Sequence, residues 1–342
     1  MKKIHQSILK WYDKNGRKSL PWRILHEKFK IHAYKEDLEK LSKIDPAYAV
    51  YISEIMLQQT QVKSVLQNYY FQFLAKFPSI LDLANSNEDE VLKAWQGLGY
   101  YTRARNLYQC ALICKQKFNA KLPNDIKELK KLPGIGEYTA GAIACFGFLQ
   151  NQSFVDANIK RVLSRFYALE NPSLRELSQN AKNFLNTNNS FEHNQALLDI
   201  GALVCLPKNA KCDICPLNLS CKAKNDYEKY TISKKIKYIE KKLQLLIIQK
   251  NDQFLLYKSK EKLYFNMYNF LEFQNEENAK YLGEFKHSYT KYQIKVKVYF
   301  LKTKHFKCKD CLAFSFKDLE NLALSKLTLK ALELFKKSEY AI

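Results

Sequence analysis

Two carboxylates stand among the side chains in this sequence that could do chemistry on a substrate. Glu54 lies in "SEIMLQQTQV", at residues 53–62, and Asp156 lies in "FVDANIKRVLSRF". A carboxylic acid on one helix and an ionised carboxylate on another are the pair that cleavage of a glycosidic bond requires. The two residues therefore indicate glycosidic-bond cleavage, provided that the fold brings them together.

The helical periodicity around Glu54 predicts one apolar face and one polar face. The core-facing stripe consists of Ile52, Ile55 and Met56. At 100° per residue, Glu54, Gln58 and Gln61 share the opposite face. A solvated surface is the usual explanation for such a face. The alternative is the lining of a pocket or groove.

Asp156 and Asn158 stand at the predicted start of a helix that also carries Lys160, Arg161 and Arg165. One interpretation is an Asp cap followed by a solvated basic face. In the other, the helix dipole and backbone amides keep the carboxylate ionised and aimed at a developing positive charge.

Four cysteines in "CLPKNAKCDICPLNLSC" form the strongest single motif. Cys205, Cys212, Cys215 and Cys221 are separated by six, two and five residues. Four thiolates within so short a span suit a metal centre. Zinc sites more often use two separated C-x-x-C pairs, so the spacing favours an iron–sulfur cluster over zinc or unligated thiols.

A glycine-containing turn between two predicted helices, "LKKLPGIGEYTAGAIACF", is the next motif. One helix is expected to end at Leu132 and the next to begin near Glu137. Gly134 and Gly136 allow a tight turn that exposes amide N–H groups beside a helix N-terminus, where a phosphate oxygen can bind. Alone the motif is an ordinary turn, but in a basic chain it suits the backbone of a nucleic acid.

The composition favours a polyanionic partner. The 342 residues include 56 Lys and Arg against 34 Asp and Glu, which gives a net charge of +22. Such a charge indicates nucleic acid more than a small anionic metabolite. Nine cysteines, an odd number, and an N-terminus without an apolar signal segment predict a cytoplasmic protein with reduced thiols. Cys308 and Cys311, in "CKDC", have no second pair nearby, and we interpret that spacing as coincidence.

The chain divides into two predicted domains. Residues 1–225 show helical periodicity, and a Lys-rich polar stretch over 226–236 predicts a linker. Residues 237–342 contain alternating runs, "LQLLIIQK", "QFLLYKSK" and "YQIKVKVYFLK", and then "SKLTLKALELFKKS", which predict strands and a closing amphipathic helix. No run approaches the ~20 apolar residues that cross a bilayer, so membrane functions are not expected.

Several motifs occur together in one order: "LPWR", "SEIMLQQTQV", "GLGYYTRARNL", "LPGIGEYTAGAIA", "VDANIKRV", "DIGALVC" and the four cysteines. They closely resemble the bacterial adenine DNA glycosylases of the helix-hairpin-helix superfamily, densely over residues 1–225 and loosely beyond. The resemblance implies an all-α helix-hairpin-helix DNA glycosylase domain with a [4Fe-4S] cluster loop at 205–221, and a smaller α/β, Nudix-like lesion-recognition domain at 237–342.

The resemblance also implies a function and the residues that perform it. A monomer would remove adenine mispaired with 8-oxoguanine or guanine from double-stranded DNA, in base excision repair. Glu54 would be the general acid that protonates adenine, and Asp156 would stabilise the oxocarbenium ion, with Tyr138 and Asn158 as their supports. Burial would raise the pKa of Glu54 enough to keep it protonated.

The remaining carried-over residues would contact the substrate. Trp22, Arg23 and Asp199 would line the adenine pocket. Gln59 and Tyr100 would enter the duplex beside the oxidised guanine, and the amide of Gln58 could pair with a base edge. The loop "HSYTKY" would sense the lesion through Tyr289 and Thr290, with Lys291 at the position of a usual His. Residues 24–44, "ILHEKFKIHAYKEDLEKLSKI", form an insertion that we expect to be helical.

Three rival interpretations are weighed against this one. An endonuclease III-like lyase for oxidised pyrimidines would share Asp156 and the cluster but needs a Lys amine at the position of Tyr138. A non-catalytic iron–sulfur protein that binds DNA would not need both carboxylates. A Nudix pyrophosphatase would need an acidic metal-binding helix, and none follows Gly283 in this sequence.

Overall fold

The computed structural model describes residues 1–26, 43–230, 237–261, 264–273, 278–289 and 291–341. Backbone contacts divide the chain into two compact units. The helical unit comprises Met1–Asn85 and Asn106–Ser233, and the sheet unit comprises Ser86–Arg105 and Lys234–Ile342. Most of the predicted helical insertion, residues 27–42, lies outside the described residues, as do residues 231–236 of the predicted linker.

Helices dominate the described chain as far as residue 230, as the periodicity predicts. In chain order they are α1 (Lys2–Asn15), α2 (Pro46–Leu57), α3 (Val62–Asn68), α4 (Tyr70–Lys76), α5 (Ile80–Asn85), α6 (Glu88–Ala94), α7 (Thr102–Lys117), α8 (Ile126–Leu129), α9 (Glu137–Ala142), α10 (Ala157–Tyr167), α11 (Leu174–Phe184) and α12 (Ser190–Leu203). A π-helical turn, Ile143–Gly147, follows α9 directly.

The central helix α2 passes through the core of the helical unit. The Asp45 side chain accepts a hydrogen bond from the Tyr48 amide, and Pro46 occupies the first turn, where it costs no hydrogen bond. All ten residues from 47 to 56 are buried. The predicted division of this helix into a core face and a polar face is therefore wrong, because other elements cover it on every side.

The sheet unit is built on a mixed sheet. The strands among the described residues are β1 (Ile239–Lys250), β2 (Gln253–Lys258), β3 (Tyr268–Asn269), β4 (Leu271–Glu272), β5 (Lys280–Tyr289), β6 (Tyr292–Thr303) and β7 (Cys311–Phe314). Their order is β3-β2-β1-β6-β5, with β4 paired to β1 and β7 to β2. Strands β1 and β6 are parallel, and the other pairs are antiparallel.

The closing helix α13 (Lys326–Lys336) begins at Ser325, whose side chain accepts a hydrogen bond from the Thr328 amide. Its apolar face packs on the sheet, where the ring of Phe335 contacts the rings of Phe254 and Phe300. The predicted strands and closing helix are thus confirmed. Among the helices of the described ranges, none is both long and apolar enough to span a bilayer.

Candidate active site

The two carboxylates predicted to do chemistry line one cavity of the helical unit. The cavity has a volume of about 310 Å³. Glu54 comes from α2, Tyr138 from α9, and Asp156 and Asn158 from the start of α10. Trp22 and Arg23, in a short 3₁₀ turn at Pro21–Arg23, complete one wall. The fold therefore brings together residues that are far apart in the sequence.

Glu54 is a buried carboxyl group with a single strong donor. Its side chain accepts a hydrogen bond from the Tyr138 hydroxyl at 2.5 Å, and only 6% of the residue is exposed. Burial raises the pKa of Glu54 to about 7, against the lowering effect of the Tyr138 hydrogen bond; the nearby Asp156 raises it further, and Arg23 lowers it. A substantial fraction of Glu54 is protonated at neutral pH, as a general acid requires.

Asp156 caps α10. Its carboxylate accepts a hydrogen bond from the Ile159 amide at 2.6 Å and one from the Asn158 side-chain amide at 3.0 Å. Burial nevertheless raises the pKa of Asp156, and the hydrogen bonds and Arg161 only oppose that rise. We expected the amide donors and the helix start to dominate. They orient the carboxylate, but desolvation has the larger effect on its pKa.

A polar chain connects Asp156 to the cysteine loop. Arg161 donates to the side-chain oxygen of Asn158 at 2.9 Å and to the backbone carbonyls of Gly201 at 2.7 Å and Cys205 at 2.7 Å. A Cβ on Gly201 would lie 2.5 Å from the Cβ of Asn158, so glycine is needed for α12 to approach α10 here. The orientation of Asn158 thus depends on the loop that follows α12.

Asp199 holds two arginines at the cavity wall. Arg23 donates two hydrogen bonds to its carboxylate, at 2.7 and 2.9 Å, and Arg17 donates through its backbone N–H and its Nε, both at 2.8 Å. The two arginines lower the pKa of Asp199, although burial alone would raise it. Asp199 is fully buried and is bound to Arg17 and Arg23, which line the cavity. The sequence analysis missed Arg17, because only the folded chain brings it to Asp199.

The glutamines after Glu54 do not continue its helix. Helix α2 ends at Leu57, Gln59 has a left-handed backbone with a φ of 56°, and Gln61 is the N-cap of α3. The predicted common face of Glu54, Gln58 and Gln61 is therefore wrong as a helical face. Gln61 still reaches the cavity that Glu54 lines, and the Gln58 side chain lies 3.5 Å from the Thr139 hydroxyl.

Gln59 and Tyr100, the residues predicted to enter a duplex, share a strained backbone conformation. Their φ angles are 56° and 49°, in a region that non-glycine residues rarely adopt. Such positions cost on the order of 1–3 kcal/mol and cluster at ligand-contacting sites. Gln59 lies in the helical unit and Tyr100 in the sheet unit, and Tyr100 is 37% exposed.

The predicted helix–turn–helix is present in the helical unit. Helix α8 ends at Leu129, three residues before the predicted end, because turns and a bend occupy residues 130–134. Gly134 has a φ of 77°, and an added Cβ would meet Asn106 at 2.9 Å. Gly136 caps α9, and an added Cβ there would meet nothing within 4 Å, so the backbone at this point is open to a ligand.

The four predicted cluster ligands line one small cavity. Cys205, Cys212, Cys215 and Cys221 are each half-buried, and burial raises the pKa of Cys215 to about 11. Arg165, almost fully buried, donates to Cys205 Sγ at 3.3 Å and to two backbone carbonyls of the same loop. Among the described residues, no three His, Cys, Asp or Glu side chains form a group that could hold a metal ion.

Of the predicted lesion-sensing residues, Tyr289 lies at the end of β5 in the sheet unit. Tyr289 is half-buried and is the last residue of that strand. Thr290 lies outside the described residues. The backbone carbonyl of Lys291 accepts a hydrogen bond from the Ile239 amide, which ties this turn to β1.

Cys308 and Cys311 form a disulfide, with their Cα atoms 5.4 Å apart. We interpreted their spacing as coincidence and expected reduced thiols, and for this pair both predictions are wrong. The turn before β7 brings the two residues within the Cα separation that a disulfide needs.

Comparison with known proteins places this site in a family. The HhH-GPD family, described as a superfamily of base excision DNA repair proteins, matches residues 52–187. Those residues include Glu54, the glycine turn and Asp156. A solved structure of a thermostable thymine-DNA glycosylase is similar over 67% of this chain and 97% of its own, with 26% identity and a TM-score of 0.55.

Two curated relatives are adenine DNA glycosylases of Buchnera aphidicola. The protein of subspecies Schizaphis graminum is 37% identical over 88% of this chain and 84% of its own length. That of subspecies Baizongia pistaciae is 43% identical over 75% of this chain, which spans 64% of that relative. This chain belongs to the adenine DNA glycosylase family, and it is a DNA N-glycosylase, a hydrolase that acts on N-glycosyl bonds.

Proposed function

We propose that this protein removes adenine mispaired with 8-oxoguanine or guanine in double-stranded DNA. The observation that carries the proposal is a buried Glu54, with its pKa raised to about 7, in one cavity with Asp156. The cavity volume of about 310 Å³ falls at the lower end of small-molecule sites, ~300–1,000 Å³. An extruded base is a ligand of that size class, and extrusion costs least for a mispaired base.

The reaction follows from the protonation states of the two carboxylates. Adenine leaves poorly as an anion, so Glu54 donates a proton to the base as the bond between the sugar C1′ and the base nitrogen breaks. The bonding electron pair leaves with the protonated adenine, and the carboxylate of Asp156 stabilises the positive charge that develops on the sugar. Water then adds to C1′ and loses a proton, which completes the hydrolysis.

The walls of the cavity support base binding. The indole of Trp22 offers an aromatic surface, and Arg17 and Arg23 offer N–H donors that Asp199 holds in place. The lining cations among the described residues are these two arginines, and no lysine lines the cavity. A lyase needs an amine for a Schiff base. We therefore propose a monofunctional glycosylase and disfavour the endonuclease III-like alternative.

Contacts to the duplex would come from both units. The open backbone at Gly136, beside the tight turn at Gly134, suits a phosphate oxygen. Gln59 of the helical unit and Tyr100 of the sheet unit, each held in a strained backbone conformation, would each insert into the duplex. The net charge of +22 strengthens all contacts to phosphates without reading sequence. We propose that the protein acts on DNA as a monomer.

We also propose that a [4Fe-4S] cluster occupies the cysteine cavity. Cys205, Cys212, Cys215 and Cys221 surround one space, and the Arg165 guanidinium offsets negative charge at Cys205. Each thiolate binds a different iron of such a cluster, so the sulfurs need not converge on one point. When bound, the cluster would crosslink the cysteine loop and make it rigid. The backbone carbonyl of Cys205, in this loop, accepts a hydrogen bond from Arg161.

The sheet unit is proposed to recognise the base opposite adenine, as a Nudix-like domain without hydrolase activity. The support is the position of Tyr289 at the end of β5, in a cavity that Tyr100 also lines. An aromatic ring at such a place can stack on a base.

The proposal is tested with duplexes that carry one defined mispair each. Purified protein is incubated with adenine opposite 8-oxoguanine, guanine, cytosine or thymine, and the released base is identified by chromatography. We expect free adenine from the first two duplexes and intact adenine opposite thymine. Equal adenine release from all four duplexes, or no adenine release from the first two, would contradict the proposed function.

A further inference from the structure

Tyr264 links two predicted DNA-facing parts of the sheet unit. It lines a cavity of about 180 Å³ together with Tyr100 and Arg105 from one segment, and His287 and Tyr289 from β5. Resting on the lesion recognition proposed above, we infer that Tyr264 is a positioning residue that holds the Tyr289 ring in place against the base opposite adenine.

The side chain of Tyr264 contacts two successive residues on one face of β5. Its hydroxyl lies 2.8 Å from Nε2 of His287, and its ring centroid lies 6.1 Å from that of Tyr289, at an interplanar angle of 47°. Side chains two residues apart on a strand point to the same face. Tyr264 therefore fixes both the strand end and the ring that the strand carries.

The hydrogen bond joins two neutral groups. Burial raises the pKa of Tyr264, with smaller contributions from Tyr101 and Tyr289. Burial lowers the pKa of His287 to about 4, and the charges of Lys330 and Lys326 lower it further. Near pH 7 both groups are therefore neutral, and the tautomer of His287 decides which of the two donates the proton of this hydrogen bond.

The turn that carries Tyr264 is itself held rigidly. Tyr264 has a φ of 57°, and its carbonyl accepts a hydrogen bond from the Met267 amide at 2.9 Å. Arg105 donates to the Phe265 carbonyl at 2.8 Å, and the Asn266 side chain donates to Glu88 at 2.6 Å. Of these two partners, Glu88 precedes α7 and Arg105 lies in its first turn. The turn therefore ties the segment that presents Tyr100 to the strand that presents Tyr289.

The support that Tyr264 gives to Tyr289 should affect how well the protein distinguishes 8-oxoguanine from guanine, because the two bases differ by only one oxygen and one N–H. The difference must be sensed through few contacts, and a small displacement of one contact weakens it. The Tyr264 hydroxyl bonds to His287 and lies outside the cavity that holds Glu54, so its removal should alter the preference between the two mispairs while the chemistry at Glu54 continues.

The test measures single-turnover rate constants on duplexes with adenine opposite 8-oxoguanine and opposite guanine. Tyr264→Phe keeps the ring and removes the hydrogen bond, and should lower the ratio of the two rate constants about three- to ten-fold, the effect of one hydrogen bond. His287→Leu should lower it similarly. Tyr281→Phe, at an exposed tyrosine of the same strand, is the matched control and should leave it unchanged.

A double-variant cycle separates positioning from general packing. In a Tyr289→Ala background, Tyr264→Phe should have no further effect on the ratio, because residues that act through one another are not additive. An unchanged ratio in Tyr264→Phe, or an equal further loss in the Tyr289→Ala background, would overturn the inference alone. If the wild-type protein itself shows no preference between the two mispairs, the proposed lesion recognition fails, and the inference fails with it.

Discussion

The hydrogen bond from Tyr138 to Glu54 makes an unusual prediction about pH. The Tyr138 hydroxyl stabilises the ionised form of Glu54 and so lowers its pKa, against a larger rise from burial. In Tyr138→Phe the cavity keeps its aromatic ring and loses that donor. The pKa of Glu54 should then rise further, so the general acid should stay protonated to higher pH than in the wild-type protein.

The size of this shift follows from the strength of the hydrogen bond. A hydrogen bond to a charged group contributes ~1.5–3 kcal/mol, and one pKa unit corresponds to ~1.4 kcal/mol. The pKa of Glu54 should therefore move from about 7 upward by about one to two units. The alkaline limb should shift whatever the height of the plateau rate constant at low pH.

The assay is the single-turnover rate constant for adenine release between pH 5.5 and pH 9.5, at constant ionic strength. Wild-type activity should fall about ten-fold per pH unit above pH ~7, because only the protonated carboxyl donates. In Tyr138→Phe the same fall should begin at least one unit higher. Tyr48→Phe is the control, because Tyr48 lies on the same helix α2 as Glu54 but its buried hydroxyl donates to the backbone carbonyl of Phe77. The pH profile of this variant should match that of the wild type.

Two results would refute this reasoning. If the alkaline limb of Tyr138→Phe lies at or below that of the wild-type protein, the hydroxyl does not stabilise the Glu54 carboxylate. If the wild-type rate has no alkaline limb between pH 6 and pH 8.5, the titration of Glu54 does not limit adenine release.

Two further predictions concern stability. Asp199→Asn leaves Arg23 buried without its partner charge, which should cost ~3–5 kcal/mol in the free energy of unfolding, measured with denaturant. The control, Asp13→Asn, breaks an exposed ion pair and should unfold almost like the wild type. Equal unfolding midpoints for Asp199→Asn and the wild type would contradict the role of Asp199. The pKa of buried His193 is lowered to about 3 by desolvation and by His5. Below pH ~6.5 the unfolded chain binds a proton that the native ring does not, so stability should fall by about 2 kcal/mol from pH 7 to pH 5. His193→Phe should remove that part of the pH dependence, and an unchanged dependence would refute the assignment.

The residues that we propose to be catalytic could be singled out from the sequence because each belongs to a compact local motif. Glu54 and Asp156 stand at the positions where the motifs place them, and the periodicities of 3.6 and 2 correctly separate the helical part from the strands. Tyr138 lies two residues after Gly136, in the first turn of α9, so its place beside Glu54 depends mainly on how α9 packs against α2. Short-range patterns were enough for these features.

The features that sequence analysis missed depend on long-range packing or on backbone strain. Arg17 reaches Asp199 across 182 residues, and no local pattern records that contact. Helix α2 stops before Gln58 because Gln59 adopts a left-handed backbone, which glutamine does not signal as glycine would. Residues 86–105 group with the sheet unit, although their helical periodicity resembles that of their neighbours in sequence.

The central claim is that the Glu54 carboxyl group acts as the acid that releases adenine. The most direct measurement compares Glu54→Gln with the wild-type protein on one duplex with adenine opposite 8-oxoguanine, recording both duplex binding and adenine release. The amide keeps the shape of the side chain but has no acidic proton, so binding should survive while release falls by at least about 100-fold. Release at a rate near that of the wild-type protein, with binding intact, would contradict the claim.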